Sequence, residues 1–155
     1  MKEIPLTRGK VALIDDRDFE EVSKHCWRAV RPHKIWYACG RVNGEDVYLH
    51  RLLLGPPEGK EVDHINGDGL DNRRANLRVC THQQNLANAR KWRTRTSSRY
   101  KGVTRNKQTQ KWIAQIEVGG ENRYLGTFED ETRAAAAYNK AAAKAFGQFA
   151  RLNEI

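Results

Sequence analysis

Residues 66–72 read NGDGLDN, and this short stretch constrains the chain more than any other. Glycine, asparagine and aspartate favour turns and compete with helix and strand pairing. The segments on either side are therefore separate elements. Residues 61–65 (EVDHI) read as a short strand ending at an Asp-His pair. Residues 76–80 (NLRVC) read as a second short strand. Thr81 fits the N-cap of a helix running to about Arg90. The order strand, loop, strand, helix lets Asp63 and His64 leave the first strand while Asn85 sits on the helix. The three can then converge on one point.

Asn76 lies twelve residues after His64, and Asn85 nine residues further on. A carboxylate beside an imidazole joins an oxygen ligand for a hard metal ion to a base able to activate water. His64 is the only nearby side chain whose unperturbed pKa suits general-base work near neutrality. Asp63 offers a charged oxygen and Asn85 a neutral one. Water and a phosphate would complete an octahedral Mg²⁺ shell, because magnesium usually takes only one or two protein ligands. Asp68, Asp71, Asn66 and Asn72 read as turn residues. His50 reads more readily as a packed strand histidine than as part of the site. His82 lies three residues before Asn85 and competes with it for the role of last ligand.

The formal net charge is +9, and it is concentrated. No Asp or Glu occurs from Asn72 to Ile116, a stretch that holds twelve Lys and Arg residues. The rest of the chain is slightly acidic. Such a block is the electrostatic footprint of a polyanionic partner. Cys26, Cys39 and Cys80 form no CxxC pair, so reduced thiols are expected and a structural zinc site is not. No apolar run approaches the roughly 18–20 residues of a membrane span. Lys2, Glu3 and Pro5 interrupt any signal-peptide pattern. A soluble, cytoplasmic protein with no membrane partner is expected.

Upstream of the site, residues 15–24 (DDRDFEEVSK) suggest a short helix with acidic residues at its start. Three apolar runs follow at 26–30, 35–42 and 47–54, with Asn43-Gly44 as a hairpin turn. They suggest a β-meander, broken by Gly55-Pro56-Pro57. Residues 91–99 read as a basic linker. Beyond it, residues 100–105, 111–118 and 122–128 read as three strands, with Gly119-Gly120 as a turn. Asp130 caps a helix with the stripe Ala134, Ala137, Tyr138, Ala141, Ala142 and Ala145, and Gly147 stops it. The expected class is α+β. Its parts are an N-terminal β-meander with a ββα unit over residues 1–90, then a three-stranded antiparallel sheet backed by one α-helix over 100–155.

The run LHRLLLG, followed by VDHINGDGLDNRRANLRVCTHQQN, resembles phage and intron-encoded homing endonucleases of the HNH type, in the variant whose last His is Asn. The opening LTRGKVALIDDRDFEEVSKHCW is similar to the leader of such proteins. The resemblance implies a ββα-metal nuclease fold with Asp63 and Asn85 as metal ligands, His64 as general base and Asn76 bracing the loop. It also implies Mg²⁺ or Mn²⁺ as cofactor and hydrolysis of double-stranded DNA to a 5′-phosphate and a 3′-hydroxyl. One site per chain implies nicking by a monomer or a weak dimer. A phage or another mobile element is the implied source.

Residues 100–153 resemble the ethylene-response-factor (APETALA-type) DNA-binding domain through YKGV, KWIAQI, YLGTF, AAAAYNKAA and ARLN. There a three-stranded sheet enters the major groove, which is wide enough for two strands. By position Lys101, Gly102, Gln115 and Tyr124 match DNA-facing places. Arg93, Arg95, Arg99, Arg105, Lys107 and Arg123 are candidates for phosphate contact. The alternative function is a non-catalytic, sequence-specific DNA-binding regulator with a degenerate nuclease fold.

Overall fold

A hairpin that no turn signal announced opens the chain. Strand β1 (Lys2–Pro5) pairs antiparallel with β2 (Val11–Ile14), and Ile4, Ala12 and Ile14 are buried beneath it. The computed structural model describes residues 1–91 and 96–155. They gather into two compact units, Met1–His82 and Gln83–Ile155. Among the described residues the architecture is mixed α and β, with small antiparallel sheets of two or three strands.

In the first unit the helix expected over residues 15–24 is shorter. A 3-10 turn (Asp16–Asp18) leads into α1 (Phe19–Val22). Val22 is buried, but Phe19 stays 40 % exposed, so no apolar face is long enough to carry more turns. The meander forms as β3 (Trp27–Val30), β4 (Tyr37–Val42) and β5 (Glu45–Tyr48), in the order β3-β4-β5. The third apolar run does not remain extended. It turns into α2 (Leu49–Leu54), where Leu49 and Leu53 are buried one helical turn apart. Gly55 ends it at φ 51°, in the left-handed region, and donates its N–H to the Arg51 carbonyl. His50 therefore lies on a helix, not on a strand.

Strands β6 (Glu61–His64) and β7 (Leu77–Cys80) pair antiparallel, with Asp63 opposite Arg78 and His64 opposite Leu77. The loop between them is tied to the N-terminal hairpin. Leu13 accepts from the Asn72 N–H and donates to the Leu70 carbonyl, both at 2.8 Å. Arg74 donates its backbone N–H to Asp15 and forks onto the buried carboxylate of Asp18. The acidic residues that seemed to start a helix thus anchor the loop instead. Gly69 is buried where a Cβ would meet the Trp36 carbonyl and the Tyr37 ring. Gly69→Ala is expected to destabilise this unit by about 1–3 kcal/mol, the usual cost of overpacking. A urea titration would measure it, and an unchanged midpoint would contradict the close approach.

The second unit begins with α3 (His82–Asn88), which straddles the boundary at its first residue. Strands β8 (Val103–Arg105), β9 (Trp112–Val118) and β10 (Glu121–Phe128) form one sheet in the order β10-β9-β8. Helix α4 (Glu131–Phe146) packs on it, with Asp130 accepting the N–H groups of Thr132 and Arg133. Ala114 and Ile116 of the sheet are buried, as are Ala134, Ala135, Tyr138 and Ala142 of the helix. The apolar stripe is rotated from the expected one: Ala135 is inside and Ala145 is exposed. Gly102 packs closely as well. It sits at φ 72°, and a Cβ there would overlap the Tyr138 ring of the helix.

All three cysteines are free, and Cys39 and Cys80 are buried. Burial pushes the Cys80 thiol up to about 11, which keeps it protonated and inert. No helix among the described residues is long and apolar enough to cross a membrane.

Candidate nuclease site

Strand β6 ends at His64, where the chain turns into the polar loop. The imidazole is 6 % exposed. It stands 3.3 Å from Asn72, measured Nε2 to Oδ1. The amide nitrogen of Asn72 donates to the Leu70 carbonyl, which leaves its oxygen to face the histidine. That orientation suits a proton on Nε2 of the ring. Burial lowers the His64 pKa, and the Asn72 contact and the neighbouring carboxylates only partly offset that. The ring is therefore neutral at pH 7, as a base must be.

Two rings pack against it, and a third lies behind them. His50 meets His64 edge-on with centroids 4.9 Å apart. Tyr37 lies 5.8 Å from His64 and 5.7 Å from His50. Tyr48 stacks on His50 at 5.4 Å. His50 is itself buried, and its Nδ1 has no hydrogen-bond partner among the described residues. Burial, with His64 and Arg51 adding to it, lowers its pKa to about 3.

Asp63 is 5 % exposed and lies under a cation. Arg78 donates from Nε at 2.9 Å and from Nη2 at 2.7 Å, both to Oδ2. Their cross-strand register explains the pair. Asn76 braces the loop. Its Oδ1 accepts the Asn66 N–H at 3.0 Å, and its Nδ2 donates to the Asp71 carbonyl at 2.7 Å. Asp71 in turn is gripped by Arg73 through two hydrogen bonds of 2.7 Å. Asp68 makes the local turn expected of it, accepting from the Leu70 N–H. Asn72 does more than turn the chain, because it is fully buried against His64.

Asp63, His64 and Asn76 thus belong to the first unit. Asn85 is a half-buried residue of α3 and belongs to the second. His82 pairs with Glu61 at 2.8 Å. Sequence reasoning missed Arg78, read Asn72 only as a turn residue and weighed His50 more as a packed strand histidine than as part of this neighbourhood. The β6–β7 register was the available signal for Arg78.

Among the described residues, no group of three His, Cys, Asp or Glu side chains gathers as a metal chelate. The donor chemistry does not fit zinc, which wants four close N or S ligands. It fits a hard ion that keeps most of its water and takes one carboxylate with a neutral oxygen.

Residues 47–87 match the HNH endonuclease family. An uncharacterised HNH endonuclease of Acanthamoeba polyphaga mimivirus is 30 % identical over 150 residues, covering 96 % of this chain and 77 % of the viral protein. The chain belongs to the HNH endonuclease family. Over part of its length the chain is also similar to plant proteins. Dehydration-responsive element-binding protein 2C of Arabidopsis thaliana is 46 % identical over 56 residues, which is 35 % of this chain and 16 % of the plant protein. The AP2-like ethylene-responsive transcription factor PLT2 of the same plant is 41 % identical over 73 residues, 44 % of this chain and 13 % of its own length. No solved structure matches the chain.

In this HNH-family chain the residues expected to touch DNA have divergent surroundings. Gln115 and Tyr124 are paired across β9 and β10 and are exposed, Tyr124 at 66 %. Arg105 and Arg123 stand opposite Trp112 and Ile116, on the register positions of the other face. Arg99 lies over the Tyr100 ring at 4.8 Å, and Lys107 is exposed on the turn before β9. Lys101 is turned away from such a role. Its Nζ donates to the carbonyls of Leu86, Ala87 and Ala89, closing the end of α3. Lys91, expected in a phosphate-touching linker, donates to the Tyr100 and Val103 carbonyls. Arg93 and Arg95 lie outside the described residues.

Proposed function

We propose that this chain is a metal-dependent DNA endonuclease of homing type. It nicks double-stranded DNA as a monomer and leaves a 5′-phosphate and a 3′-hydroxyl. The observation that carries this reading is the buried His64, set 3.3 Å from the Asn72 amide oxygen and next in sequence to Asp63.

His64 takes the proton of the attacking water on Nδ1. Asn72 is proposed to accept the Nε2 proton in a hydrogen bond, and the rings of His50 and Tyr37 pack against the imidazole and limit its rotation. Asn76 keeps the loop that carries Asn72 in place. Asp63 and Asn85 are the proposed ligands of a Mg²⁺ or Mn²⁺ ion, chosen by donor type. When bound, the ion offsets the charge that develops on the leaving oxygen. Arg78 holds the Asp63 carboxylate in one orientation before the ion arrives. The exposed polar face of β9 and β10, with Gln115 and Tyr124, is the proposed reader of duplex DNA. Arg99, Arg105, Lys107 and Arg123 are proposed to add phosphate contacts, as are Arg93 and Arg95.

EDTA is expected to abolish conversion of supercoiled plasmid to open circles, and excess Mg²⁺ or Mn²⁺ to restore it. Nicking that persists in chelator would rule out the metal. A second reading is a non-catalytic DNA-binding regulator. The Arg78 fork on Asp63 favours it, because an ion must compete with an existing cation for that carboxylate. Tight duplex binding without nicking in either metal would establish the second reading.

A further inference from the structure

The turn between β1 and β2 carries a cluster of cations that the nuclease motif does not use. Thr7–Gly9 forms a 3-10 turn with Arg8 at φ 62°, a left-handed conformation uncommon for a residue with a side chain. The turn is pinned to β3, where Thr7 Oγ1 accepts the Ala29 N–H at 3.0 Å. It delivers two cations to the half-buried Trp36 indole, and a third comes from the chain just after β3. The guanidinium carbon of Arg8 lies 5.6 Å from the ring centre, Lys10 Nζ lies 5.5 Å from it, and the guanidinium carbon of Arg31 lies 5.4 Å from it. The three charges therefore fall within about 11 Å of one another, comparable to the Debye length of roughly 8–10 Å at ordinary salt. An indole attracts a cation but neutralises none of its charge. A cleft of about 580 Å³ adjoins them, lined by Thr7, Arg8, Arg28, Arg31 and Tyr48 among others. Its acid, Asp46, is held by Arg28 at 2.6 Å. The charge facing this cleft is left strongly positive.

We propose that Arg8, Lys10 and Arg31, gathered on Trp36, bind the sugar-phosphate backbone of duplex DNA. This surface lies outside the matched residues 47–87 and outside the acid-free block at 72–116. The inference rests on reading the chain as a DNA endonuclease. Guanidinium and ammonium groups suit phosphate oxygens, and several cations side by side suit a polymer of phosphates better than a single ion. The cluster is also mechanically close to the base. Trp36 gives its carbonyl to the close approach of Gly69, and the next residue, Tyr37, packs on His64. A backbone held at Trp36 thereby sets the register of the duplex on the body that carries His64.

The test compares the full chain with Arg8→Gln/Lys10→Gln/Arg31→Gln by duplex binding across a salt series. Each phosphate contact contributes about 0.9 to the slope of log K against log salt, so the slope should flatten by about 2–3. Affinity near physiological salt should fall by at least about tenfold. An unchanged slope would overturn the proposal. So would a flattened slope for structured RNA with none for duplex DNA, or loss of inorganic-phosphate binding alone. If the triple variant melts early, Arg8→Gln and Lys10→Gln are tested singly, each expected to flatten the slope by about 1. The two readings fail separately. A wild-type chain that never nicks, yet loses slope on substitution, sinks the endonuclease and keeps the surface. A nicking chain with an unchanged slope does the reverse.

Discussion

Replacing His64 by alanine is expected to cut the nicking rate by about 10²–10⁴-fold, the range that positioned general bases supply. Duplex affinity should stay nearly intact, because a buried ring contributes little to a phosphate surface. The expectation rests on the proton assignment. Asn72 turns its oxygen to Nε2, which leaves Nδ1 to accept the proton of water. Alanine also empties a packed ring site, so His64→Gln serves as a filled control that lacks a base. Both variants should bind labelled duplex in gel shifts and fail to open supercoiled plasmid. Full nicking by either one would remove His64 from the chemistry. Asn72→Ala should fall between the wild type and these variants, since it frees the tautomer without removing the ring.

The parts of the site that were legible in the sequence are those whose chemistry is local. Asp63 and His64 are adjacent, and the NGDGLDN loop announces itself through its turn-forming side chains. Asn76 braces that loop within ten residues of its partners. The residues that escaped notice depend on long-range placement. Arg78 reaches Asp63 because the two strands pair in one register and not another. His50 reaches His64 because a leucine-rich run coils into α2, and a short apolar run does not distinguish helix from strand by its pattern. The acidic residues 15 and 18 looked like a helix start until Arg74, more than fifty positions away, took their carboxylates. The sheet and helix of the second unit were legible for the opposite reason. Period-two alternation in β9 and the Asp130 cap are written into neighbouring residues. Lys101 shows the limit of positional carry-over: its backbone place resembles that of a DNA contact, yet its side chain closes α3.

The packed histidines should make the first unit sensitive to acid. His50 stays neutral in the fold down to about pH 3, whereas in the unfolded chain it takes a proton near 6.5. Between those values the unfolded state holds more protons, so stability rises with pH and is lost as pH falls from 6.5 toward 3. The loss approaches about 1.4 kcal/mol per pH unit within that window. From pH 7 to pH 5 the His50 contribution alone amounts to about 2 kcal/mol. His64, also lowered by burial, acts in the same direction. The physical cause is visible at Nδ1 of His50: a proton added there would be a buried charge beside three rings, with no acceptor among the described residues. Hydrogen exchange of the β4 amides, followed in urea at both pH values, reports the stability of this unit without the second one. His50→Gln is neutral at both, so its stability should fall by about 2 kcal/mol less than that of the wild type over the same interval. An equal loss in the two proteins would show that His50 is not the group that acid titrates.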